Sequence, residues 1–116
     1  NKKKKMFKIF KILNKLNKMN TVNKAKIYLK YLKEIFKICK EELEINPKLP
    51  KQRGNKIKYF ENMGLGLHPK WDSLNHVKIL HCIEEKYHFE ITEDNVLNFN
   101  NIRAAAKFLV KYHSKK

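Results

Sequence analysis

The sequence predicts a single all-α domain. Apolar residues recur at helical spacings of three and four along most of the chain, and residues that favour helix N-caps precede several of these segments. The one β-rich stretch, residues 88–92, has no second strand to pair with. A chain of 116 residues has room for one hydrophobic core, and 11% aromatic residues favour a folded chain over a disordered one.

Charge is distributed unevenly along the chain, whose formal net charge is +16. Residues 1–33 contain twelve lysines and no acid, whereas residues 61–100 contain seven acids and three bases. We therefore expect a basic N-terminal arm, residues 1–22, followed by a helical domain, residues 23–116.

The basic arm contains a predicted amphipathic helix over residues 6–19. One stripe of this helix carries the four lysines expected to contact a polyanion: Lys8, Lys11, Lys15 and Lys18. The helix either packs on its own domain or binds RNA, an anionic membrane or a large complex. A basic, acid-poor segment is also typical of a mitochondrial leader, so we expect a mitochondrial location, with the cytoplasm as the alternative.

The domain is predicted to contain three longer helices. The first spans residues 23–44 and ends at Asn46-Pro47, because a proline disfavours helical geometry in the residue before it. Residues 47–62 follow as a loop. The next helix begins at Asp72 or Ser73 and ends near residue 87, with four residues expected on its inner face: Leu74, Val77, Leu80 and Ile83. After a Thr92 cap and a short turn at 96–97, Asn100 or Asn101 caps the last helix.

Histidine and cysteine patterns give no support to a metal site or an enzyme. His76 and His81 are five residues apart, about 140° around a helix, and cannot share a metal ion at ideal geometry. Cys39 and Cys82 are expected to be reduced thiols of the core. The chain has no H-E-x-x-H motif, phosphate-binding loop or hydrolase elbow, so we expect neither a metal site nor catalysis.

Ser73 stands where the free N–H groups at a helix start favour an anion, although Asp72-Ser73 is equally suited to be an ordinary cap. The surrounding sequence resembles the acyl carrier protein family, whose members are four-helix bundles with a D-S-L motif. The resemblance covers about half of the chain and is carried by residues 59–65 (YFENMGL), 72–77 (DSLNHV), 83–91 (IEEKYHFEI) and 102–109 (IRAAAKFL).

This resemblance implies a four-helix acyl-carrier-type bundle with an extra basic N-terminal amphipathic helix. It also implies that Ser73 carries a 4′-phosphopantetheine arm, whose thiol holds acyl groups as thioesters for fatty acid biosynthesis or other lipid metabolism. Asp72 would help to bind the magnesium ion used during transfer. The implied partners are a phosphopantetheinyl transferase and acyl-processing enzymes, and the free protein is expected to be a monomer.

Ten residues are expected either to line an acyl pocket or to form an ordinary core: Leu74, Val77, Leu80, Ile83, Phe89, Ile91, Val96, Leu97, Ile102 and Phe108. An acyl chain in such a pocket would gain about 0.8 kcal/mol per buried CH₂. The alternative function is a carrier-like structural subunit of a large organellar assembly, such as a mitochondrial ribosome, which docks through its basic arm.

Overall fold

Four α-helices account for most of the part of the chain that the structure describes. The computed structural model describes the backbone of residues 2–114 and the side chains of residues 8, 9, 11 and 23–113. The helices are α1 (Lys2–Glu42), α2 (Arg53–Glu61), α3 (Ser73–Tyr87) and α4 (Ile102–Ser114), with a 3₁₀ turn, Val96–Phe99, before α4. No strand occurs within these described residues, which confirms the all-α fold class.

Helix α1 joins two segments that the sequence predicts as separate helices. The backbone is helical from Lys2 to Glu42, so the expectation that a separate helix begins at residue 23 is wrong. The intervening residues, Asn20-Thr21-Val22-Asn23, include neither glycine nor proline, and nothing in the local chain forces the helix to break there.

The C-terminus of α1 is set by its own backbone, several residues ahead of Pro47. Glu44 adopts a left-handed conformation with φ 53°, and the N–H of Ile45 donates to the carbonyl of Lys40 at 3.1 Å. This is the hydrogen-bond pattern of a Schellman motif, which satisfies carbonyls left free at a helix end. The expected end at Asn46-Pro47 is therefore slightly late.

Helix α2 lies within residues 47–62, which the sequence predicts as a loop. Its local signal is weak, because it has nine residues and its N-cap residue Gln52 makes no side-chain cap hydrogen bond. Packing stabilises it: the rings of Phe60 and Phe36 on α1 are 4.3 Å apart between centroids, and Phe60 is buried. Tertiary contacts thus favour a helix that the local sequence does not strongly specify.

The expected caps of the later helices are confirmed except for one. The Asp72 carboxylate accepts the N–H of Asn75 at 2.9 Å at the start of α3, and Asn101 Oδ1 accepts the N–H of Ala104 at 2.7 Å at the start of α4. The expected Thr92 cap is wrong, because Asn95 Oδ1 instead accepts the N–H of Thr92 at 2.7 Å.

The core lies where α1 packs against α4, α3 and α2. Its buried apolar side chains are Tyr31, Leu32, Ile35, Phe36, Cys39, Leu43, Phe60, Met63, Trp71, Ile79, Ile83, Phe99, Ile102, Ala105, Ala106 and Leu109. Arg103, Lys107 and Lys111 are exposed on the opposite face of α4. Among the described residues, no helix is long and apolar enough to cross a bilayer.

Candidate attachment site at the start of helix α3

Ser73 is the first residue of α3, and its side chain is exposed. Asp72 before it has an extended backbone, and its carboxylate caps the helix through the N–H of Asn75. The first turn of a helix has backbone N–H groups without intrahelical acceptors and the positive end of the helix dipole. An anionic group on the Ser73 hydroxyl would therefore lie in a favourable field.

The loop ahead of Ser73 is anchored by a buried tryptophan. Trp71 is 1% exposed, and its indole Nε1 donates to Nδ1 of His76 at 2.9 Å. The Trp71 carbonyl accepts the N–H of Gly66 at 3.0 Å, and the side-chain amide of Asn75 donates to the carbonyl of Lys70 at 2.7 Å. These bonds hold the backbone on both sides of the Asp72-Ser73 step.

His76 is a buried structural histidine beneath the site. Burial lowers its pKa, opposed by a side-chain hydrogen bond with Asn100, so the ring is neutral at neutral pH. Because Nδ1 accepts from Trp71, the proton of the neutral ring lies on Nε2.

Three of the ten residues expected in an acyl pocket are at the surface. Leu74, Val77 and Leu97 are 69%, 63% and 75% exposed, so the expectation that they line a pocket or a core is wrong. The buried face of α3 is formed by His76, Ile79 and Ile83. Leu74 lies about 140° from Ile79 around the helix axis, on the opposite face.

Six of the other seven expected pocket residues lie in or against the core, and the seventh, Val96, is half-buried outside the core cluster. Ile83 and Ile102 are buried, and five are half-buried: Leu80, Phe89, Ile91, Val96 and Phe108. Phe89 and Phe108 belong to an aromatic cluster with Phe99, in which the Phe99 and Phe108 ring centroids are 4.9 Å apart. These residues are packed against each other, as in an ordinary core.

A groove of about 730 Å³ between α1 and α4 involves none of the ten expected pocket residues. Its lining residues are Lys24, Ala25, Tyr28, Glu61, Arg103, Lys107, Val110 and Lys111. The Tyr28 hydroxyl donates to the Glu61 carboxylate, and burial followed by this hydrogen bond raises the pKa of Tyr28.

Two of the four lysines expected to contact polyanions are described. Lys8 and Lys11 have exposed side chains on α1. The side chains of Lys15 and Lys18 lie outside the described residues.

The remaining histidine and cysteine side chains form no metal centre in the described part of the chain. His81 Nε2 lies 3.0 Å from Glu85 one turn along α3, and both side chains are exposed. Cys39 is a buried free thiol, whereas Cys82 is a half-buried free thiol that donates to the Glu42 carboxylate at 3.1 Å. Burial, followed by the effect of Glu42, raises the pKa of Cys82 to about 11, so the thiol is protonated at neutral pH.

The sequence reasoning missed the structural support for Ser73, namely Trp71, His76 and Ile79. The spacing of Ile79 and Ile83, four residues apart, is compatible with a shared helix face, but the other apolar residues of α3 leave the choice of face open. Comparisons of the chain with models of protein families, with curated proteins and with solved structures find no match.

Proposed function

We propose that the protein is an acyl carrier that bears a 4′-phosphopantetheine arm on Ser73. The observation that supports this most directly is the exposed Ser73 side chain at the first position of α3, immediately after the capping Asp72. The D-S-L motif and the resemblance to the acyl carrier family add to this support. In this role the protein presents a substrate to enzymes and has no catalytic residues of its own.

The residues at the start of α3 fit the proposed arm. An exposed hydroxyl is accessible to a transferase, and the nearby N–H groups favour a negatively charged phosphodiester. One Asp72 oxygen accepts the N–H of Asn75, and this exposed carboxylate has further acceptor capacity for a magnesium ion during transfer. The arm, when attached, supplies the thiol on which acyl groups are held as thioesters for lipid metabolism.

Leu74 and Val77 are proposed to contact the partner enzymes. They lie three residues apart on the exposed face of α3, next to Ser73 in the first turns of the helix. Such exposed apolar side chains can be buried by a phosphopantetheinyl transferase or an acyl-processing enzyme that approaches Ser73. We therefore propose that Leu74 and Val77 form a docking surface for these enzymes and do not line an acyl pocket.

Enzymatic loading tests the assignment of Ser73. The protein is incubated with coenzyme A, magnesium and a broad-specificity transferase, and its intact mass is recorded. We expect a gain of one phosphopantetheine in the unaltered protein and none in Ser73→Ala. Ser114→Ala removes the chain's other serine and should load normally. No gain in the unaltered protein, or an equal gain in Ser73→Ala, would contradict the proposal.

The charge distribution favours a second candidate function, a structural subunit of a large mitochondrial assembly that contains RNA. Twelve lysines without an acid in residues 1–33 can neutralise phosphates without reading sequence. Sedimentation of the native protein, with and without ribonuclease, tests this role. A subunit would sediment with a large particle and be released by ribonuclease, whereas a free carrier would remain at the top of the gradient in both cases.

A further inference from the structure

Helix α1 carries a row of lysines on the side that faces the start of α2. Lys26, Lys30 and Lys33 are spaced at i, i+4 and i+7, which places them on one face of the helix, and all three are exposed. They line a shallow groove of about 370 Å³ together with Leu29 and Arg53. Arg53 is the first residue of α2, so the groove extends from one helix to the other.

A second, smaller cavity extends the same surface. It has a volume of about 160 Å³ and shares Leu29, Lys33 and Arg53 with the first groove. It adds two further cations, Lys51 and Lys56. We call the combined set the α1–α2 basic surface: Lys26, Lys30, Lys33, Lys51, Arg53 and Lys56.

Acidic side chains lie away from this surface. Neither cavity has an acidic lining residue. On α1, Glu34 accepts the Tyr87 hydroxyl of α3 at 3.1 Å, and Glu42 accepts the thiol of Cys82. The acid of α2, Glu61, accepts the hydroxyl of Tyr28.

These contacts segregate the charges of α1. Glu34 and Glu42 contact α3, and Glu41 lies close enough to Cys82 of α3 to raise the pKa of that thiol. Lys26, Lys30 and Lys33 instead line the cavities at the start of α2. Six cations are thus brought together without a neutralising acid among the described lining residues. Such a cluster attracts a ligand that carries several negative charges along its length.

The apolar residues at the base of the surface distinguish between two kinds of polyanion. Leu32 and Phe60 are buried, and Leu29 and Ile57 are half-buried, so none projects as an anchor for a bilayer. The large apolar side chains that are exposed in the described part of the chain lie elsewhere: Ile9, Leu67, Leu74, Val77 and Leu97. Membrane binding by a folded surface normally combines basic residues with inserted apolar ones, so these observations favour a nucleic acid.

We propose that the α1–α2 basic surface binds the phosphodiester backbone of a nucleic acid, without sequence preference. The contacts are between lysine or arginine and phosphate, because the aromatic lining residue, Phe60, is buried and unavailable for base stacking. The proposal deepens and rests on the second candidate function above, and it is independent of Ser73.

Salt-dependent binding of labelled single-stranded oligouridine to the full chain tests the proposal. The surface variant combines Lys26→Gln, Lys30→Gln and Lys33→Gln. The control variant combines Lys78→Gln, Lys107→Gln and Lys111→Gln, which remove the same charge outside the α1–α2 basic surface. The dissociation constant of each protein is measured by fluorescence anisotropy at several salt concentrations, with oligothymidine in parallel to compare RNA with DNA.

We expect the surface variant to bind more weakly and to lose about two units from the slope of log affinity against log salt, because three phosphate contacts are removed at about 0.7 each. The control variant should keep most of the affinity and slope. If the surface variant does not fold, as judged by circular dichroism, Lys51→Gln with Arg53→Gln and Lys56→Gln replaces it, with the same expectation.

Three results would overturn the proposal. Equal losses in the surface and control variants would show that net charge, not this surface, determines binding. A third variant combines Lys8→Gln and Lys11→Gln in the basic arm. If only this variant lost affinity for oligouridine, the binding would be assigned to the basic arm and the second candidate function would be preserved. Absence of binding to both oligonucleotides would contradict this proposal and the second candidate function. If the protein then bound phosphatidylglycerol vesicles, and the surface variant did not, the surface would be assigned to membrane binding.

Discussion

The indole Nε1 of Trp71 donates a hydrogen bond of 2.9 Å to Nδ1 of His76, and both side chains are buried. Trp71 immediately precedes Asp72-Ser73, and His76 lies in the first turn of α3. The bond therefore ties the loop ahead of Ser73 to the helix that Ser73 begins. It fixes the orientation of the imidazole and requires that Nδ1 remain unprotonated.

The stability of the protein should therefore fall when His76 is protonated. Because burial lowers the pKa of His76, the unfolded chain, with a histidine pKa of about 6.5, binds the proton more readily than the folded chain. The stabilising contribution of neutral His76 to the free energy of unfolding is fully present above about pH 6.5. It is lost as the pH falls through the lower pKa of His76 in the folded state. Urea unfolding at several pH values measures it.

His76→Asn serves as the matched variant for this pH dependence. Asparagine can offer its side-chain oxygen to the Trp71 indole but does not titrate. We expect the slope of unfolding free energy against pH between pH 5 and 7 to be smaller in His76→Asn than in the unaltered protein. His76→Ala should cost about 1–3 kcal/mol, because the buried indole N–H then has no acceptor. An unchanged slope in His76→Asn would show that other groups determine the pH dependence.

The two faces of α3 should respond differently to truncation. Ile79 and Ile83 are buried, so replacing either by alanine should cost about 2–5 kcal/mol of unfolding free energy. Leu74→Ala and Val77→Ala should change it by less than about 0.5 kcal/mol, because both side chains are exposed. Urea denaturation of the four variants measures the difference, and a large loss in Leu74→Ala would show that the helix face is rotated.

The same comparison shows what the sequence of α3 can and cannot predict. The N-cap is local, because the Asp72 carboxylate bonds to an N–H three residues later, and it was predicted correctly. The buried face is not local. Apolar residues occur at 74, 77, 79, 80 and 83, which cover most of the circumference, so the spacing alone does not select a face. Packing against the rest of the core selects Ile79 and Ile83.

Helix α4 could be predicted because its signals are local, whereas α2 could not, because its stability depends on contacts with residues distant in sequence. In α4 the cap Asn101 and the alternation of buried Ala105 and Leu109 with exposed Lys107 are strong local signals. Helix α2 depends on contacts with α1, such as that of Phe60 with Phe36. These residues are far apart in the sequence, so no local pattern predicts the contact. The α1–α2 basic surface depends on that packing and was missed with it.

Gly64 should resist substitution because two backbone segments meet there. A Cβ at Gly64 would lie 2.7 Å from Asn101 Cβ and 2.8 Å from the carbonyl oxygen of Asn100. Gly64→Ala must therefore push the loop away from the start of α4, at a cost of about 1–3 kcal/mol in the free energy of unfolding. Thermal or urea unfolding provides the measurement.

Gly54→Ala is the control for Gly64→Ala. Gly54 lies in α2, and a Cβ there meets nothing within 4 Å. Alanine should stabilise the helix by up to about 1 kcal/mol, because glycine is the poorer helix former. Equal effects of the two substitutions would contradict the close approach of the loop to α4.

Removal of residues 1–20 should separate the basic arm from the folded domain. The deletion takes away eight lysines, but the buried side chains that the structure describes begin at Tyr31 on α1. We expect the shortened protein to unfold in urea with nearly unchanged free energy and to be loaded normally at Ser73. Its binding to oligouridine should weaken and become less sensitive to salt, yet persist through the α1–α2 basic surface. Loss of the fold would instead show that residues 1–20 contribute to the stability of the domain. Complete loss of binding in a folded, loadable protein would make the arm the sole polyanion site, because the lysines that face α2 are still present in that chain.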